Sequence, residues 1–195
     1  MLSGGTERFF DMGYADIIDP ADALNLRAKA HRWPMACDSA LVFQQPELNE
    51  LRDIWLQRAP GGIVPPRSAF DARTLKPWLS HIMIVERVAV GAAGFRYRMR
   101  LEGSEIVLVA GESTGRYLDD VYPPGDVPRI SAPYDAVLDG RTALRVVTDV
   151  QTPHLDHLSA ECFVAPLADA NGEVTLVLRA AWFKVKHVAA ARMMG

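Results

Sequence analysis

The chain has 195 residues, enough for one domain of ordinary size with an extension, or at most two small ones. About 49% of the residues are apolar, so a true core is expected and composition argues against global disorder. The net charge of −3 has no long basic run behind it, which argues against nucleic acid as a partner.

The first residues show no basic segment followed by an apolar one, and no window long enough to span a bilayer is free of charge. A cytoplasmic protein with no membrane segment is expected. Cys37 and Cys162 lie far apart and form no CxxC, so spacing alone supports no disulfide.

Residues 1–45 read as an N-terminal extension. Asp19-Pro20 suits a helix start, with Ala21 to His31 following and Trp33-Pro34 closing it. Two readings remain open: a loosely packed arm, or a helix that docks on a partner subunit. Residues 46–58 form a stronger helix, in which Leu48, Leu51 and Trp55 make an apolar stripe. Gly61-Gly62 and Pro65-Pro66 stop it. A short helix near 72–79 follows, limited by Pro77.

His81 to Val88 is a strand rich in Ile, Met and Val, and 91–94 is a hairpin loop. The return strand, Phe95 to Leu101, alternates strictly. Phe95, Tyr97, Met99 and Leu101 point one way, and Arg96, Arg98 and Arg100 the other. After Gly103, Ser104 is expected to cap a short helix through Val109, and a second piece ends near Val121. Asp126 is expected to cap a longer helix, Val127 to Leu138, weakened or bent by Pro133. Three strands close the chain: 142–150, 158–167 and 174–185. The last is nearly all apolar, as a central strand would be. The order describes an α+β fold: a five-stranded antiparallel sheet with short helices over one face and an N-terminal helical extension.

Several of these residues carry a resemblance. They are Leu51 and Trp55, then Pro66-Arg67-Ser68-Ala69-Phe70-Asp71, Tyr97 to Leu101, Gly103-Ser104, Gly111 and Thr114 to Leu118. Pro166-Leu167 and Asn171-Gly172 complete the set. Together they resemble the PAS-like family of alphaproteobacteria, short stand-alone PAS proteins, over roughly residues 46–187, leaving 188–195 as a tail. Glu102 and Ala168 depart from the pattern. The resemblance implies a sensory or protein-interaction module of signal transduction that homodimerises, meets an unidentified signalling protein, and holds a small ligand between sheet and helices. A carrier or enzyme on a cone-shaped α+β fold is the alternative.

The long helix offers no His for a haem, and neither Cys lies where a photoactive flavin would need one, so neither cofactor is expected. His154, Asp156 and His157 follow a Pro in a connection and read as a loop rather than a metal site. Asp119-Asp120 reads as solvent-facing charge, and no catalytic pair or phosphate loop is present. The three arginines call for a solvated face, ion pairs to Glu86, Asp149 or Glu161, or a contact face for a second subunit or the N-terminal segment. Tyr97, Met99, Tyr117, Ile130, Tyr134, Val146, Cys162 and Trp182 are the candidates to line a pocket, with ordinary core packing as the other reading. Leu48, Leu51 and Trp55 are the interface candidates. Deleting residues 1–43 is expected to alter oligomeric state and leave the domain folded.

Overall fold

The computed structural model describes residues 18–91 and 94–186. The outermost N-terminal segment, the middle of the 91–94 loop and the tail from His187 lie outside the described residues.

Helix α1 runs Pro20–His31, and Asp19 caps it by accepting from Ala21 N at 2.7 Å. Strand β1, Met35–Asp38, follows after Trp33-Pro34. Helix α2 is Pro46–Gln57, and α3 is Ala72–Leu75, continued by a 3-10 turn to His81. Then come β2, Ile82–Ala89, and β3, Phe95–Glu102. Three helices follow: α4, Ser104–Ala110; α5, Leu118–Val121; and α6, Val127–Gly140. Strands β4, Leu144–Asp149, β5, Leu158–Ala168, and β6, Val174–Val185, close the described chain.

The sheet is antiparallel, in the order β1-β4-β5-β6-β2-β3. It therefore has six strands rather than five, because β1 adds itself to the edge of β4. The extension is tied to the sheet by more than that pairing. Asn25 of α1 donates to Cys37 O and accepts from Cys37 N, both at 2.8 Å. Its amide stands in for a neighbouring strand on an edge that would otherwise be open. Ala21, Leu24 and Ala28 of α1 are buried against the chain's own core. The helix face expected to lie loose or to meet a partner is occupied at home.

Both faces of the sheet are covered. One carries α1, α4, α5 and α6 over Met83, Val85, Tyr97, Met99, Val146, Cys162 and Val177. The other carries α2 and the 72–81 segment over Ile82, Ile84, Phe163, Leu167 and Leu178. Leu48 and Leu51 are fully buried there, and Trp55 donates its indole N–H to Pro166 O at 3.1 Å. The α2 stripe packs on the chain's own sheet, so these three interface candidates present no exposed surface. Their helical spacing reported an apolar face without saying what covers it.

Strand β3 does not keep its alternation. Ile84 pairs with Leu101 and Val85 with Met99, so Arg100 is an extra residue. This bulge turns Leu101 to the α2 face, away from Tyr97 and Met99. Phe95, at the other end, is 63% exposed under the guanidinium of Arg87. The N-caps of two helices also differ from expectation. Gly103, not Ser104, is the N-cap of α4, and a Cβ at Gly103 would lie 2.1 Å from Leu79 O, so only glycine fits there. Asp126 occupies the N-cap of α6, but its carboxylate accepts no backbone N–H there. Gly140 ends α6 where Pro20 packs so close that its Cγ would lie 2.8 Å from a Cβ.

Candidate functional site

The arginine face of β3 is an ordered ion-pair surface. Arg96 bonds Asp119 at 2.9 Å and Asp120 at 2.6 Å, and stacks 4.0 Å over the Tyr117 ring. Arg100 pairs with Glu86 at 2.7 Å. Asp149 and Glu161 take other cations: Lys186 at 2.9 Å and Arg145 at 2.7 Å. Glu161, 2% exposed, also accepts from Gln44 N and Gln45 N, and so anchors the chain entering α2. The outer edge of β3 is closed by the segment before α5: Gly115 N donates to Met99 O at 2.7 Å and Met99 N to Arg116 O at 3.0 Å. Glu102 holds the segment after α4, accepting from Ser113 N at 2.6 Å and Ser113 Oγ at 2.7 Å. The departure at Glu102 thus has a structural use.

Between this helical cap and the sheet lies a cavity of about 390 Å³. Its walls are Met83, Ile106, Val109, Ala110, Tyr122, Ile130, Val150, Ala160 and Phe183, with Arg129, Arg179, Asp126, Thr148 and Asp149 as polar members. A smaller space of about 50 Å³ adjoins it, lined by Met35, Pro133, Tyr134, Val146, Cys162 and Val164; Arg129, Ile130, Thr148 and Arg179 line both. A cavity of this size and composition matches the pockets that hold small organic molecules.

Of the pocket candidates, Ile130, Tyr134, Val146 and Cys162 line these spaces. Tyr97 and Met99 face the same side but are packed in the core. Tyr97 meets Tyr134 edge to face at 5.4 Å and donates its hydroxyl to Asp135. Tyr117 lies under Arg96, outside both spaces. Trp182 is on the opposite face of the sheet, stacked 4.0 Å from His81. Strand β6 is apolar on both faces because both are covered, so its sequence gave no parity to read.

Two residues that matter were missed: Arg129 and Arg179. Arg179 had a visible signal, a single charge inside the run Val174–Phe183. It sits on β6 between Met83 of β2 and Val164 of β5. It donates to Tyr134 Oη at 3.4 Å and Cys162 Sγ at 3.5 Å. Burial opposes its charge, and Cys162 and Tyr134 beside it favour the charge; the guanidinium stays protonated. Burial raises the Tyr122 phenol, with Tyr134 adding to it, so Tyr122 faces the cavity as a neutral hydroxyl.

Cys37 and Cys162 are free and sit on alternate strands, with Val146 between them in register. Two strand spacings, about 10 Å, are too far for a disulfide. His154, Asp156 and His157 lie in the β4–β5 connection, and among the described residues no three His, Cys, Asp or Glu side chains converge on a metal position. Among the described residues no helix is long and apolar enough to cross a membrane.

An antiparallel sheet with a short-helix cap over a cavity defines a single-sheet α+β module. The chain belongs to the PAS domain family, whose model matches residues 43–181. No protein of curated function matches it. Among solved structures it is similar to an RNA-binding light-oxygen-voltage receptor, with 11% identity and a TM-score of 0.40, over 77% of this chain and 38% of the receptor. The chain thus spans well under half of that receptor. It is also similar to the light-state LOV domain of the blue-light photoreceptor Aureochrome1, at 16% identity, TM-score 0.35, over 59% of this chain and 88% of that one. A sensory box histidine kinase/response regulator from Burkholderia thailandensis E264 gives 14% identity and TM-score 0.36, over 59% of this chain and 86% of its own.

Proposed function

We propose that this PAS domain is a non-catalytic sensory and protein-interaction module of signal transduction. A small molecule occupies the space between sheet and helices, and its presence is passed on by non-covalent contact, within a homodimer or to a signalling partner. The observation that carries the reading is the cavity of about 390 Å³ beneath α4 and α6. Its walls include α4, which is seven residues long and is followed by a loop that Glu102 and the backbone of Met99 hold to the sheet. An occupant that touches Ile106 and Val109 of α4 and Ile130 of α6 contacts the elements whose position it must bias. Because α2 covers the second face of the sheet, a dimer or partner would meet the outer surface of the helices rather than bare strands.

Native mass spectrometry of freshly purified protein, set against its denatured mass, tests this. Extra mass lost on denaturation is expected, together with a dimer peak. A bare monomer that gains no mass from a mixture of small metabolites would overturn the sensory reading.

A further inference from the structure

We propose that Arg179 is the anion receptor of this cavity and that its ligand class is a small organic carboxylate with an apolar body. This rests on the reading that the cavity holds a ligand. The charges around the space cancel except for one. Arg129 pairs with Asp126 at 3.4 Å, and Asp149 pairs with Lys186 at 2.9 Å. Arg179 meets the Tyr134 hydroxyl and the Cys162 sulfur, and among the described residues no carboxylate comes within ion-pair distance of it.

Its place makes this costly. In register it is flanked by Met83 and Val164, in the middle of the sheet and under the helical cap. A guanidinium there has lost much of its hydration and gained no counter-charge, whereas an apolar side chain would fill the position without that penalty. A bound anion supplies what is missing. The planar fork of Arg matches a carboxylate with two parallel hydrogen bonds. Tyr122, a neutral hydroxyl on the wall, can donate a further bond, and Ile106, Val109, Val150 and Phe183 offer a dry surface for the rest of the molecule. One uncompensated cation selects one negative charge, and the apolar walls select a hydrocarbon body over an inorganic ion.

The test compares octanoate, 1-octanol and acetate as probes by calorimetry and thermal shift on the full chain and on R179M and R179K. Octanoate is expected to bind the parent protein about ten- to a hundred-fold more tightly than octanol, as a charge-assisted hydrogen-bonded pair implies. In R179M the preference should vanish while the ligand-free protein melts no lower than the parent, because an unpaired, half-buried charge has been removed. R179K, which keeps the charge without the fork, should retain part of the preference, and acetate should bind far more weakly than octanoate. Equal binding of octanoate and octanol by the parent would overturn the carboxylate class and leave the cavity as a ligand site. A preference that survives in R179M would overturn the role of Arg179. Binding of neither probe, by protein whose native mass shows nothing bound, would overturn both the class and the sensory reading.

Discussion

Asp135 is half-buried on α6 and accepts a hydrogen bond from the Tyr97 hydroxyl. Burial raises its carboxyl above the ordinary range, and the Tyr97 hydrogen bond only partly opposes that. A carboxyl raised by folding is favoured in its protonated form. Its contribution is therefore full below the unfolded value of about 4 and is lost as pH rises through the folded value. Asp135→Asn keeps an acceptor for Tyr97 and removes the titration. Its stability relative to the parent should improve steadily as pH is raised from about 4 toward neutrality, as read from urea unfolding at a series of pH values. A difference that stays constant with pH would contradict the assignment. Cys37 is governed by the same physics: burial first, then Cys162 and Asp38, pushes its thiol up to about 12. At neutral pH it is a small core residue rather than a nucleophile.

At the scale of elements, the N-terminal extension departs most from what its sequence suggests. Its helix was legible, since Asp19-Pro20 is a start signal and Trp33-Pro34 a stop, and α1 spans Pro20–His31 as those signals imply. Strand β1 was not legible, because four residues are too few to show a period. Nor could the sequence say that Asn25 closes the open edge of β1, or that Gly140 lets α1 sit against α6. These are contacts between segments far apart in the chain. Deleting residues 1–43 removes β1 and the buried side chains Ala21, Leu24, Ala28, Leu41 and Phe43. The truncated protein should therefore lose its cooperative thermal transition, or melt well below the parent in circular dichroism. An unchanged midpoint would show that the extension is dispensable for the fold. The central position of β6 beside β2 was legible from its unbroken apolar run. The sides on which Trp182 and Leu101 fall were not, because one strand is buried on both faces and the other carries a bulge.

Across the whole molecule, one sheet carries two differently packed layers. The α2 side is filled: Phe43 and Trp55 pack edge-on to Phe163, and Leu48, Leu51, Phe70 and Leu167 have no solvent exposure. The α4–α6 side is also apolar but leaves the cavity of about 390 Å³. The alternation of β4 and the helical spacing of α6 put Val146, Ile130 and Tyr134 on this side; Ile130 lines both spaces, and Tyr134, Val146 and Cys162 line the smaller one alone. The residue giving the cavity its charge was passed over because it stood inside an apolar strand. The most direct test of this two-layer account is the thermal midpoint of Ala160→Leu in ligand-free protein. Ala160 lies on the cavity wall at 1% exposure. If the space beside it is open, the added methyl groups fill it and the midpoint rises, as burial of apolar surface predicts. A fall equivalent to about 1–3 kcal/mol, the usual result of overpacking a filled core, would contradict the presence of the cavity and the sensory reading built on it.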